Sequence, residues 1–301
     1  MLSCFAFPAA KKSGAAILPD CATFYVIIVN KVFFERFIHY SFIYLWGNKM
    51  DKIKFKQACS KILNEERQKS GIGTLGEKTM HAILKHYFDE DTYNHEIKIG
   101  GFVADILKKN VDNTPSIIEI QTRQFDKLRK KLDAFLKVCP VTVVYPIART
   151  KWLSWIDFRT GEVAAKRKSP KVGKPYEIFV ELYRIKHLLT NKNLKICIIM
   201  LDIEEYRYLN GWSRDKKRGS SRSDRIPTEI IEEIYINDKL EYNKLIPNEL
   251  KELFTSKDFK KASGLSLSAS QTALNVLNSV GSVERIGKQG NLYIYKKMKN
   301  E

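Results

Sequence analysis

Apolar residues at Phe55, Ala58, Ile62 and Leu63 recur at three-and-four spacing and predict a helix over 51–69. Ser70-Gly71-Ile72-Gly73 breaks it, and Thr74 caps a second helix over 75–88. That helix turns Leu75, Met80, Ile83, Leu84 and Tyr87 inward and carries Glu77 in its first turn. Three short runs of strand character follow at 94–99, 102–107 and 116–121, the first two joined by a Gly100-Gly101 hairpin turn. A basic amphipathic helix spans 125–138, with Leu128, Leu132, Phe135 and Leu136 inward and Lys127, Arg129, Lys130 and Lys131 outward. An apolar strand at 141–146 completes the order helix, three strands, helix, strand. Strands at 152–157 and 194–203 and a helix at 178–189 extend the same α/β unit.

Beyond residue 210 the pattern changes. Residues 211–226 are rich in Gly, Ser and charge and read as a basic linker or arm, with Arg214, Lys217, Arg218 and Arg222 as phosphate contacts. Helices are expected near 228–234, 247–254, 256–263 and 269–280, the last capped by Ser268, followed by a strand pair at 283–286 and 292–297. Helices followed by a two-stranded wing have the order of a winged helix-turn-helix. In that reading 269–280 is the recognition helix, presenting Ser270, Gln271 and Asn275, with Arg285 and Lys288 on the wing. The expected domains are an α/β core at 50–210, the linker at 211–226 and a winged-helix domain at 227–301. Residues 1–49 differ in character. Their apolar stretch at 22–47 is cut by Asn30, Lys31, Glu35, Arg36 and His39 before a spanning length accumulates, whereas Met50-Asp51-Lys52-Ile53 opens a clean helical pattern. They read as a leader, or as a non-native extension ahead of a mis-called start.

Charge narrows the function. Fifty-two Lys+Arg against 34 Asp+Glu leave +18 over 301 residues, and residues 50–301 alone hold 47 against 32, or +15. Such an excess points to a polyanionic partner, DNA first and RNA as the alternative. Five scattered cysteines with no CxxC pair fit a reducing cytoplasm better than a disulfide framework. No membrane role is expected, and a homodimer is compatible with the pattern. P-loop, GxGxxG and GxSxG motifs are absent from the sequence.

The chemistry lies in acids placed where a core strand should be apolar. Asp105 interrupts Val103-Ala104-Asp105-Ile106-Leu107 and Glu119 interrupts Ile117-Ile118-Glu119-Ile120-Gln121. Buried acids are costly unless something stabilises them. Period two puts Ile117, Glu119 and Gln121 on one face. If the two strands are neighbours, Asp105 meets Glu119, and the pair needs a shared proton or a hard divalent cation, with the Ile120 carbonyl as a further oxygen ligand. Glu77, Asp105 and Glu119-Ile120-Gln121, on that order of elements, resemble the core of the PD-(D/E)XK nuclease superfamily over roughly residues 71–146. The resemblance implies an α/β restriction-endonuclease-like core with a mixed central sheet and a small α+β winged-helix domain behind it. It also implies Mg²⁺- or Mn²⁺-dependent hydrolysis of DNA. Asp105, Glu119 and the Ile120 carbonyl would be metal ligands, Glu77 a further acid, and Gln121 would stand where the superfamily usually has lysine. Lys127 and Lys130 would contact phosphates beside the site. The alternative is a DNA-binding regulator or architectural protein whose nuclease-like core has lost its chemistry, with Gln121 as the trace of that loss.

Overall fold

The computed structural model describes residues 50–70, 79–110, 112–157, 159–210 and 221–298. The leader 1–49, Glu77, Arg214, Lys217 and Arg218 lie outside them. The protein is a mixed α/β structure around a seven-stranded sheet flanked by helices.

Helices α1 (Lys52–Ser70) and α2 (Thr79–Phe88) lead into the meander β1 (His95–Ile99), β2 (Phe102–Lys109) and β3 (Pro115–Ile120). A 3-10 turn (Phe125–Leu128) and α3 (Arg129–Phe135) precede β4 (Val141–Asp157). The short β5 (Arg167–Lys168), α4 (Phe179–Arg184), β6 (Leu194–Leu209) and β7 (Ser221–Ile236) complete this part. The sheet order is β1-β2-β3-β4-β6-β7, with β5 paired to β4. The β3/β4 and β4/β6 pairs are parallel and the β1/β2, β2/β3 and β6/β7 pairs antiparallel. The centre of β6 shows why the crossover geometry suits this sequence: Ile196 through Leu201 are all buried, as a strand covered on both faces requires. On one face Phe55, Ala58, Met80, Ile83, Leu84 and Tyr87 of α1 and α2 pack on Ile120, Val144, Cys197, Ile199 and Leu201. On the other, Leu132 and Phe135 of α3 and Phe179 and Leu182 of α4 cover Ile117, Val141, Val143, Ile196 and Ile198.

Two expectations are corrected. Residues 228–234 are strand, not helix: the tract IPTEIIEEIYI carries helical spacing, but it is dense in β-branched residues and, among the described residues, is the one neighbour β6 has on that side. Pro227 is tolerated because β7 is an edge strand and the register shifts there, between Asp202 and Ile203. The expected boundary at 226/227 therefore falls inside β7, and Arg222 and Arg225 belong to a strand instead of a linker. Residues 247–254 are likewise not a helix. A 3-10 turn at Leu240–Leu245 precedes them, and β8 (Leu253–Thr255) enters a second sheet of order β8-β10-β9.

The C-terminal elements are α5 (Ser256–Ser263), α6 (Leu267–Ser279), β9 (Val283–Gln289) and β10 (Leu292–Lys297). Thr255 and Asp258 form a reciprocal capping box on α5, and Gly264, at φ 74°, ends it in the left-handed conformation. The cap of α6 is Ser266, two residues before the expected Ser268; its hydroxyl accepts from the Ala269 N–H at 3.1 Å. Phe259, Ala273, Leu274, Val276 and Leu277 share one continuous core with Phe179 and Leu182, so residues 50–301 cohere as one unit.

Candidate functional site

The β2/β3 ladder ends at Ile106↔Ile118, one step short of Asp105 and Glu119. Where backbone pairs would continue, two side-chain bonds cross. The Ile120 N–H donates to Asp105 Oδ2 at 2.8 Å and the Asp105 N–H donates to Glu119 Oε1 at 3.2 Å. Each carboxylate thus accepts from the other strand's backbone, and the two acids face each other as the register requires. On the far side of β3, pairing with β4 stops after Ile120↔Val144, because Pro146 has no N–H to continue a parallel ladder. The acids stand at a splay in the sheet.

Two cationic or titratable groups close on them. His81 Nε2 of α2 lies 3.1 Å from Asp105 Oδ2. Lys131 Nζ of α3 bonds Glu119 Oε2 and lies 5.8 Å from the centre of the Phe135 ring. Glu119 is 1% exposed. Burial, then the neighbouring Asp105 charge, push its carboxyl up to about 7 despite Lys131. Burial acts on Asp105 in the same sense, but His81, the Ile120 N–H and Lys131 outweigh it and hold that carboxyl below the usual range. The environment separates two like acids into one that stays ionised and one poised near neutrality. Asp105 Oδ1 accepts no hydrogen bond among the described residues. Glu96, the register position opposite Asp105 on β1, has φ 55° and reaches Lys85 at 2.7 Å. A non-glycine residue in that region is strained, and here it lies beside the paired acids.

The expected site residues are distributed as follows. Asp105 and Glu119 come together. Gln121 does not join them as a positioned amide: its Nε2 donates to the Arg123 carbonyl two residues on. The Ile120 main chain contributes an N–H to Asp105. Lys127 and Lys130 are exposed, whereas Lys131, expected outward with them, is the lysine that reaches Glu119. Ser270 is fully buried with its hydroxyl on the Ser266 carbonyl, and Asn275 accepts from Lys186 Nζ at 2.9 Å. Neither is presented to a base edge, because α6 packs along α4 and that packing claims this face. Gln271 is exposed. Arg285 stacks on Tyr293 at 3.8 Å and Lys288 lies 4.9 Å from the same ring, making a cationic, aromatic hairpin surface. Arg222 turns toward the buried Glu205. His81 and the role of Lys131 escaped the sequence reading. One signal for Lys131 was present: 128, 131, 132 and 135 form a single helical stripe, so this lysine shares the inward face.

A divalent cation fits the donor chemistry in part. Mg²⁺ takes oxygen ligands and is held by as few as one or two carboxylates, and here one carboxylate oxygen is unengaged while the adjoining acid carries a charge burden that a cation would relieve. Among the described residues no group of three or more His, Cys, Asp or Glu converges as a metal cage.

Fold and site define a mixed α/β protein whose central sheet splays around a pair of acids, Glu119 buried and Asp105 partly so. The model of a family described as a domain of unknown function, DUF8091, matches residues 78–237, and the chain belongs to that family. The match runs from the start of α2 to the end of β7 and includes Asp105, Glu119 and Lys131. The chain is 26% identical over 226 residues to an uncharacterized protein of Treponema pallidum (strain Nichols), covering 75% of this chain and 87% of that one. No solved structure matches. Among the described residues no helix is long and apolar enough to cross a membrane.

Proposed function

We propose that the protein is a metal-dependent nuclease of PD-(D/E)XK type acting on DNA in the cytoplasm. The observation that carries this reading is the meeting of Asp105 and Glu119 at the β2/β3 splay with Lys131 on Glu119. Support comes also from the order α2, β1–β3, α3, β4 with β3 and β4 parallel, which resembles a restriction-endonuclease-like core. Helices α5 and α6 with the β9/β10 hairpin resemble a winged helix whose hairpin carries Arg285 and Lys288.

Asp105 and Glu119, with the Ile120 carbonyl, would hold Mg²⁺ or Mn²⁺, which supplies Lewis-acid activation of water and neutralises charge on the phosphoryl oxygens. Lys131 replaces the lysine missing at position 121. Reaching the same carboxylate from α3, its ammonium sets a positive charge where negative charge develops on phosphate, a role the Gln121 amide cannot fill. His81 orients Asp105, and Glu119, as a ligand, would stay ionised beside the cation and fix the Lys131 ammonium at Oε2. The exposed Lys127, Lys130, Arg285 and Lys288 supply salt-sensitive contacts to the backbone.

One observation favours the silent-core reading, in which the protein binds DNA without cutting it. Glu119 accepts at both of its oxygens and Gln121 is folded onto Arg123, so the acids also serve to satisfy the splayed backbone. The two readings separate on incubation of the full chain, Glu119→Ala and Lys131→Met with supercoiled, linear and single-stranded DNA in Mg²⁺, Mn²⁺ or EDTA. Cutting that needs metal and is abolished by both substitutions is expected. Duplex binding without cutting, equal in all three proteins, refutes the nuclease and leaves the binder.

A further inference from the structure

A second concave site lies farther along β4, past the end of β3. It is a cavity of about 300 Å³ whose wall includes Arg123, Lys151, Lys171, Arg222, Arg225 and Glu177. Several of these cations gather on Glu205, which has no exposed surface. Arg207 bonds this carboxylate through Nε at 2.8 Å, Arg225 Nε lies at 3.3 Å, and Lys151 and Arg222 stand at 3.8 Å. The arrangement follows from a register shift. Arg222 and Arg225 are three residues apart and would point to opposite faces of a regular strand. Between Tyr206 and Arg207 the partners jump from Asp224 to Arg222, leaving Ser223 as an extra residue, and the bulge turns both guanidinium groups to Glu205.

One carboxylate thus gathers three of the lining cations, Lys151, Arg222 and Arg225, together with Arg207. Five basic side chains and one acidic one, Glu177, line the cavity, and Glu177 is paired with Lys171 at 3.1 Å. A concavity with so basic a lining favours entry of an anion, and groups fixed beforehand lose little freedom when it enters. The location specifies the anion further. The chain leaves β3 after Ile120 and passes through Gln121 to Thr122 and Arg123 in the cavity wall, and Tyr145, also in the wall, is two residues or about 7 Å along β4 from Val143, the register partner of Glu119.

We propose that this cavity receives a phosphate group of the same nucleic-acid strand whose neighbouring phosphate is presented to Asp105 and Glu119. The assignment rests on the nuclease reading for its geometry, but its test does not require cutting. Binding of a fluorescein-labelled 12-nucleotide single strand to the full chain is measured in EDTA by anisotropy, across a series of salt concentrations. The comparison is between the unmodified protein, the pocket variant Arg123→Ala/Lys171→Ala and a control, Lys108→Ala/Lys109→Ala, which removes the same charge at an exposed strand end. All four positions are exposed, so each protein should fold, and thermal midpoints verify it. The pocket variant is expected to lose about tenfold in affinity and to flatten the salt slope by about 0.7 per cation removed, with little change in the control. Equal losses in the two double variants overturn the proposal. In parallel, inorganic phosphate should raise the thermal midpoint of the unmodified protein and compete with the strand. If phosphate stabilises the protein but strand binding is unaffected by the pocket substitutions, the ligand is a free phosphorylated molecule and the strand assignment falls. Absence of cleavage would refute the nuclease alone, since every measurement here is made without metal.

Discussion

Replacing Glu119 with glutamine isolates the energetic signature of the paired acids. The native carboxyl stands near 7, against 4.5 for an unhindered glutamate, because burial and Asp105 oppose its charge. Between those values the folded chain keeps a proton that the unfolded chain has released, so stability falls as pH rises through the window. A pKa unit is worth about 1.4 kcal/mol, which makes the contribution about 3 kcal/mol, fully present below pH 4.5 and lost above pH 7. Glu119→Gln keeps the shape and an oxygen for the Asp105 N–H but carries no charge at any pH. Urea unfolding of both proteins in EDTA, from pH 4.5 to 8.5, should therefore give curves that diverge with pH. The variant should lose less stability than the unmodified protein and overtake it above neutrality, while titrating groups remote from the pair cancel in the difference. A difference independent of pH would refute the reasoning and make the Lys131 contact strong enough to keep Glu119 ionised throughout.

Two further substitutions probe the frame that holds the site. A Cβ at Gly173 would stand 2.1 Å from the Ala148 carbonyl oxygen, a backbone atom that cannot swing away, so Gly173→Ala should destabilise by about 3 kcal/mol in chemical denaturation. Phe259→Ala empties a fully buried position between Phe254, Tyr176 and Phe179 and should cost about 3–5 kcal/mol. Because the C-terminal helices share their core with the sheet, tryptophan fluorescence and far-UV circular dichroism of that variant should report one coincident transition, not an early loss of a separate domain.

Local periodicity was most legible where a segment's own burial decides its state. The stripe Phe55, Ala58 and Ile62, the hairpin at Gly100-Gly101 and the interrupted strands at 105 and 119 all read correctly from spacing. The pattern misled where a neighbour decides. In residues 226–236 the isoleucines satisfy both periods, and only the open side of β6 selects the strand; nothing in the segment itself reveals that β6 is there. The same blindness explains Ser270 and Asn275. Their polar character suggested an exposed recognition face, while the face that is covered depends on α4, nearly ninety residues earlier.

Lys131 shows how a local rule can point past its first application. Counted by composition, it belongs with Lys127, Arg129 and Lys130 as one cation among four on a solvated helix. Counted by angle, it shares a stripe with Leu128, Leu132 and Phe135, and a lysine on the buried side of a helix requires an acid within reach of its stem. Glu119 is that acid, itself buried and in need of a cation. Two unfavourable placements on separate elements resolve each other, and under the proposed nuclease reading the lysine expected at position 121 and the one found at 131 become a single observation. If the site cuts phosphodiesters, Lys131 carries the positive charge that makes the absence of lysine in the strand tolerable.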